Sequence, residues 1–184
     1  HNLSLPKEHS LVVIADDLRA RYQTDVFSFA TSCTSSAQAI GYAYKMLKSG
    51  MYEKALVIGF EMFNRLTFEH FQAMNLLSQE AQYSPLTNPT GIVLGEGIGC
   101  VALSTQPNPQ LPCEIVGVTP LTDNENLSNS SESALRNLIN ACLNNANFMP
   151  ADIDGVKVHG VGGNSDEMEL RVLQEIFPHA QWLS

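Results

Sequence analysis

Apolar positions along this chain alternate between short continuous runs and stretches with helical spacing. Leu11 to Ile14 is a short apolar run, and Asp16 to Arg21 after it reads as a helix with a solvated, charged face. Val26, Phe27 and Phe29 have strand character. From Ser36 to Leu47 the pattern turns helical, with Ile40, Ala43, Tyr44 and Leu47 on one side. Lys45 and Lys48 sit in its last turn and Gly50 just past it, the charge and cap order of a helix end. Ala55 to Gly59 is a continuous apolar run, which predicts a buried parallel strand. Strand, crossover helix and strand together make a βαβ unit and predict an α/β fold.

The second stretch of pattern is similar in kind. Thr67 to Ser78 predicts a helix with Thr67 as cap and Phe68, Phe71, Met74 and Leu77 on a core-facing side, His70 lying on the polar side. Ser84 to Gly91 is a turn-rich loop. Ile92 to Leu103 is a β-rich run interrupted by Gly95, Gly97 and Gly99. No amphipathic helix and no Lys-Ser/Thr pair follows, so these glycines do not make a phosphate cradle; they fit close backbone approach within a strand. The proline-rich turn Gln106 to Pro112 separates two halves, 1–105 and 106–184, of a single domain. Beyond it a strand is expected over Cys113 to Pro120, with Cys113 in the core, then a polar exposed segment from Asp123 to Ser133. A helix over Ala134 to Ala146 follows, with Leu135, Leu138, Ile139, Cys142 and Leu143 inward. Phe148 to Asp154 connects to a strand, Gly155 to Gly160, that carries His159.

Composition narrows the function classes. The chain has 184 residues with 44% hydrophobic content, enough for one ordinary domain with a core. A formal net charge of −9 argues against nucleic acid as a partner. No apolar run is long enough to cross a bilayer, and no basic-then-apolar signal pattern opens the chain. The four cysteines are widely spaced without a C-x-x-C pair, which argues against a metal site or a disulfide framework and suits a cytoplasmic location. The sequons at Asn126 and Asn129 read as chance in an Asn/Ser-rich loop.

The stretch Thr31-Ser32-Cys33-Thr34-Ser35-Ser36 puts a cysteine where an apolar run meets a small-residue helix. The positive end of a helix dipole favours thiolate, the nucleophilic form, although a cysteine is more often a structural core residue. This hexapeptide resembles the nucleophile segment of the β-ketoacyl-acyl carrier protein synthases, condensing enzymes of the thiolase fold. Ile92-Val93-Leu94-Gly95-Glu96-Gly97-Ile98-Gly99 resembles the Gly-Phe-Val-Leu-Gly-Glu-Gly-Ala-Gly stretch beside their active site. His159-Gly160, with Asp166 and Glu169 after it, resembles their first catalytic histidine and its acidic pair. Two departures stand out. The family's His-Gly-Thr-x-Thr threonines, which face the pantetheine arm, are replaced by Val161 and Gly163, and the docking arginine position is Asn75.

The resemblance implies a thiolase-like layered α/β/α fold with a mixed, largely parallel sheet, incomplete relative to a full condensing enzyme. A further βα segment would precede His1, and a lysine and a second histidine would follow Ser184. It implies Cys33 and His159 as catalytic residues, Phe71, Gly95, Glu96 and Gly97 around the substrate pocket, and Asp166 and Glu169 as acidic support. It implies no cofactor beyond the phosphopantetheine of an acyl carrier protein, and acyl and malonyl thioesters as substrates in fatty acid or polyketide synthesis. The partners would be that carrier protein and, through a homodimer or heterodimer, another ketosynthase. Arg65, Lys45 and Lys48 remain as carrier-docking cations. A non-catalytic subunit like the chain-length factors is the alternative, and a coenzyme-A-dependent acyltransferase on the same fold is a third.

Overall fold

A computed structural model of the chain describes residues 11–80, 84–110, 113–123 and 131–183. The readings on residues 1–10, on the sequons at Asn126 and Asn129, and on the end of the 106–112 turn lie outside the described residues. Contacts gather the chain into two compact units. The first holds His1–Gly59 with Cys100–Gln106, and the second holds Phe60–Gly99 with Pro107–Ser184.

In the first unit, helix α1 spans Leu11–Tyr22. The apolar run Leu11 to Ile14 is thus its first turn, not a separate element. Ala15 is its buried residue, while Val12, Val13 and Ile14 stay exposed. A 3-10 turn, Ser32–Thr34, leads into α2, Ser35–Lys48. Gly50 adopts φ +75 just past α2, as its position after the last lysine predicted. Strand β1, Lys54–Glu61, pairs with β2, Gly97–Ser104, in a two-stranded sheet. β1 runs two residues past the expected end at Gly59, through Phe60 and Glu61, and of the strand expected to be buried only Val57 is.

Three strand expectations are corrected. Val26 to Phe29 forms no strand: no described segment pairs with it, and an extended run without a ladder partner is not a strand. It rests instead on α2, where Phe27 and Phe29 each pack on Tyr42 at 5.3 Å between ring centroids. The βαβ unit therefore has its helix and second strand only. Cys113 to Pro120 also forms no strand, and Cys113 is exposed, not core. The segment lies against the end of the next helix, Gly117 approaching Ala146 closely enough that a Cβ there would sit 3.5 Å from it. Gly95, Gly97 and Gly99 were expected to admit close backbone approach, but a Cβ on each would meet nothing within 4 Å.

The second unit carries α3, Arg65–Ala73; α4, Glu132–Ala146; β3, Gly155–Lys157; α5, Asp166–Ile176; and β4, Gln181–Leu183. α3 starts before Thr67 because Asn64 is its cap, its side chain accepting from the Thr67 N–H at 3.1 Å. It stops at Ala73, short of Ser78, because Asn75 takes φ +53 and Leu77 then bridges in parallel to Ile92. The expected apolar stripe is not core among the described residues: Phe68 and Met74 are exposed, and Phe71 and Leu77 are half-buried. α4 matches the expected amphipathic helix, capped by the Ser131 hydroxyl on the Ala134 N–H. Asn147, in the left-handed region at φ +57, ends it. β3 and β4 pair in parallel, Val156 opposite Trp182. The core of this unit joins Leu143 of α4, Val158, Leu173 of α5, Phe177 and Ala180, with Ile139, Val156 and Trp182 packed on it.

Candidate active site

Cys33 sits in the 3-10 turn that opens α2 and is exposed. The turn is tight because Ser32 holds φ +56, a backbone region that disfavours a residue with a Cβ. Side chains of the hexapeptide close it. The Thr31 N–H donates to Ser35 Oγ at 2.8 Å, and that hydroxyl donates to the Ser32 carbonyl at 2.7 Å. Thr34 Oγ1 donates back to the Thr31 carbonyl at 2.8 Å. The approach to the turn is tethered as well. Arg19 donates to the Val26 carbonyl and pairs with Asp16, and the Tyr52 hydroxyl donates to Asp25 at 2.5 Å. That hydrogen bond to the Asp25 carboxylate holds the Tyr52 phenol above its ordinary value of 10.0.

The first turn of α2 is set close to β1. A Cβ on Gly59 would lie 2.5 Å from Ser36 Oγ and 3.4 Å from Ser36 Cβ, so a larger residue there requires the Ser36 hydroxyl to turn away. An open cavity of about 430 Å³ in the same unit is lined by Val12, Ala15, Arg19, Val26, Phe27 and Tyr42, among others. Cys33 is not among its lining residues.

His159 belongs to the second unit, just beyond β3, and is exposed. The turn it opens is held by the two carboxylates singled out in the sequence. Glu169 accepts from the N–H groups of His159 at 2.7 Å and Gly160 at 3.1 Å. Asp166 accepts from Val161 at 3.3 Å and Gly162 at 2.9 Å, and also from Leu86 at 3.1 Å. Four consecutive amides therefore end on two side chains of the first turn of α5. Asp166 is 1% exposed, the buried charged residue of this unit, and Glu169 is half-buried. Gly160 and Gly162 take φ +50 and +81, which lets successive N–H groups converge on the carboxylates. Gly91 continues the arrangement: its N–H donates to the Gly162 carbonyl at 2.9 Å, and a Cβ there would meet the Ser78 N at 2.5 Å.

Glu96 is also tied down. Its carboxylate accepts from the Phe63 N–H at 2.6 Å, linking the glycine run to the entry of α3, on which Phe71 sits. Gly95 and Gly97 flank it in exposed backbone. Cys33 thus belongs to one unit, and His159, Phe71, Gly95, Glu96, Gly97, Asp166 and Glu169 to the other. Among the cations expected to dock a carrier, Arg65 is paired with Glu69 at 2.7 Å and Lys48 lies over the Tyr44 ring at 5.7 Å. Asn75 falls past the end of α3, not on it.

Comparison with known proteins decides the family. The model of the β-ketoacyl synthase N-terminal domain matches residues 21–108, and that of the C-terminal domain matches residues 113–183. The chain belongs to the β-ketoacyl synthase family. Nodulation protein E of Rhizobium sp. (strain N33) is 26% identical over 167 residues, covering 86% of this chain and 42% of that protein. A non-reducing polyketide synthase of Penicillium shearii is 30% identical over 164 residues, covering 82% of this chain and 7% of that protein. The solved ketosynthase of Xenorhabdus doucetiae, in complex with its chain length factor, is similar at TM-score 0.80 and 26% identity. That match covers 89% of this chain and 41% of the other. A ketosynthase from module 6 of the bacillaene synthase of Bacillus subtilis 168, at TM-score 0.78 and 20% identity, shares the thiolase-type fold. The chain spans less than half the length of these relatives. Among the described residues the strands form two pairs, β1 with β2 and β3 with β4. Among the described residues no helix is long and apolar enough to cross a membrane, and no three His, Cys, Asp or Glu side chains gather to hold a metal.

Sequence reasoning singled out the carboxylates of the β-ketoacyl synthase histidine turn but missed two features. One is the Ser35 clamp on the cysteine turn, whose only sequence signal is a hydroxyl two residues after Cys33. The other is β4, whose Trp182 pairs with Val156 of β3 and packs on the core.

Proposed function

We propose that this chain carries the nucleophile half of a condensing reaction in fatty acid or polyketide assembly. The observation that carries the reading is an exposed Cys33 in a clamped, left-handed turn at the start of α2, within a chain of the β-ketoacyl synthase family. Cys33 Sγ, as thiolate, attacks the carbonyl carbon of an acyl thioester on the phosphopantetheine of an acyl carrier protein. The new carbon–sulfur bond forms as the bond to the carrier's sulfur breaks, and the carrier leaves with its thiol. The Cys33 N–H is an oxyanion donor at the same turn. A malonyl thioester then loses carbon dioxide, and its enolate carbon attacks the acyl-Cys33 carbonyl. The Cys33 thiolate departs, leaving a β-ketoacyl thioester on the carrier.

In this reading His159 donates a hydrogen bond to the enolate oxygen, with Asp166 and Glu169 fixing the backbone from which it projects. Phe71 gates the acyl pocket, and Gly95, Glu96 and Gly97 line its approach. The partners are the acyl carrier protein and a second ketosynthase-type chain, in a homodimer or heterodimer, working in the cytoplasm. Solved relatives include a ketosynthase with its chain length factor and a ketosynthase with its acyl carrier protein, which supports both kinds of partner.

The test is mass spectrometry after exposure to an acyl-carrier thioester, with the adduct mapped by peptide. Acylation of Cys33, abolished in Cys33→Ala, is the expected result. No adduct on folded protein would refute the catalytic reading and favour a non-catalytic subunit of the chain-length-factor kind, consistent with Val161 and Gly163 in place of the family's threonines.

A further inference from the structure

We infer that Ser35 is a positioning residue for the Cys33 sulfur, its hydroxyl locking the strained turn from both sides; this rests on the reading of Cys33 as the acylated nucleophile. Within Thr31 to Ser36, Ser35 is half-buried and every other residue is exposed. Its Oγ accepts from the Thr31 N–H at 2.8 Å while donating to the Ser32 carbonyl at 2.7 Å. The same carbonyl takes the Ser35 backbone N–H. A hydroxyl can do both jobs at once, since it is one donor and two acceptor lone pairs.

The residue so held is Ser32, at φ +56, immediately before the nucleophile. A serine keeps that conformation only where its surroundings over-determine it. Release of Ser32 toward the ordinary right-handed or extended regions rotates the following peptide plane. The Cys33 N–H and the Cα–Cβ direction of the thiol turn with it. Acyl transfer needs the sulfur and the oxyanion donor in fixed mutual geometry, so Ser35 acts on the rate through Cys33 without touching substrate.

Three rates separate this role from a merely structural one, each measured on wild type, Ser35→Ala and Ser35→Thr with folding checked by circular dichroism. Acylation of Cys33 is followed across acyl-carrier thioester concentration. Alkylation of Cys33 by iodoacetamide, which needs no oxyanion donor, is followed alongside. Exchange of the Thr31 amide with deuterium reports the clamp directly. Ser35→Ala is expected to slow saturated acylation by about tenfold or more, with the half-saturating concentration within about twofold. Ser35→Thr, which keeps the hydroxyl, is expected to restore most of the rate, and alkylation to stay within about threefold in both. Wild-type acylation in Ser35→Ala would overturn the inference, as would an equal fall in alkylation, which places the effect on access to the thiol. If wild type is alkylated but never acylated, the nucleophile reading fails. The clamp is then decided by the Thr31 amide: exchange about tenfold faster in Ser35→Ala supports it, and unchanged exchange overturns it.

Discussion

Asp166→Ala is the substitution whose cost the geometry defines best. The carboxylate is 1% exposed and takes the backbone N–H groups of Gly162, Leu86 and Val161. Alanine leaves all three without an acceptor. The Gly162 bond is buried, and the other two are half-buried. A buried donor left unsatisfied costs about 1–3 kcal/mol. Taking about 2 for Gly162 and about 1 for each of the others, which reach water in part, gives about 4 kcal/mol. At a urea dependence of about 2 kcal/mol/M, the unfolding midpoint of the intact protein falls by about 2 M. Asp166→Asn keeps one carbonyl oxygen but turns an NH₂ group toward donors, so about half the loss is expected. Glu169→Ala releases one exposed and one half-buried amide, and its loss is about 1–2 kcal/mol. Urea titrations of the three variants rank these effects. A midpoint shift below about 0.5 M for Asp166→Ala, or a larger loss for Glu169→Ala, would refute the assignment of the burial cost to those amides.

Two further outcomes follow from other contacts. Glu132 of α4 accepts from Arg136 and from Arg171 of α5, and Arg136 also reaches Glu175, so this cluster joins the two helices. The hydrogen bonds from Arg136 and then Arg171 hold the Glu132 carboxyl below its ordinary value of 4.5. Its contribution is therefore present above 4.5 and lost as pH falls through the lower folded value. Thermal midpoints read against pH in low salt should show that acid decline in wild type and a flatter one in Glu132→Gln, with added salt shrinking the difference. Gly59→Ala sets a Cβ against Ser36 Oγ, which must change rotamer, and a thermal melt should register a loss of about 0.5–1.5 kcal/mol. Adding Ser36→Ala, which removes the hydroxyl and keeps helix propensity, should recover most of it; failure of the pair to recover would refute the close approach.

Elements that carry their own hydrogen bonds were readable from the sequence, and those that need a distant partner were not. α2 and α4 fall within a residue or two of their apolar periodicity, since a helix satisfies its backbone locally. Val26 to Phe29 and Cys113 to Pro120 have strand composition but form no strand among the described residues, because a strand needs a ladder from another part of the chain and composition does not supply one. α3 was displaced by two asparagines that propensity reading passed over, Asn64 as cap and Asn75 in the left-handed region. At the site, the sequence marked Cys33, His159, Asp166 and Glu169 by spacing and resemblance. It could not show that Asp166 is buried or that both carboxylates are spent on the backbone, because those bonds depend on where a whole turn of α5 lies.

Four successive amides from His159 to Gly162 form the kind of concave donor array that elsewhere captures phosphate or carboxylate from solution. In this protein the array comes already loaded, with two anions supplied by its own α5. A free phosphate therefore finds these four amides already taken. The loop behaves as a self-occupied anion receptor, its donors matched to acceptors that the same chain supplies.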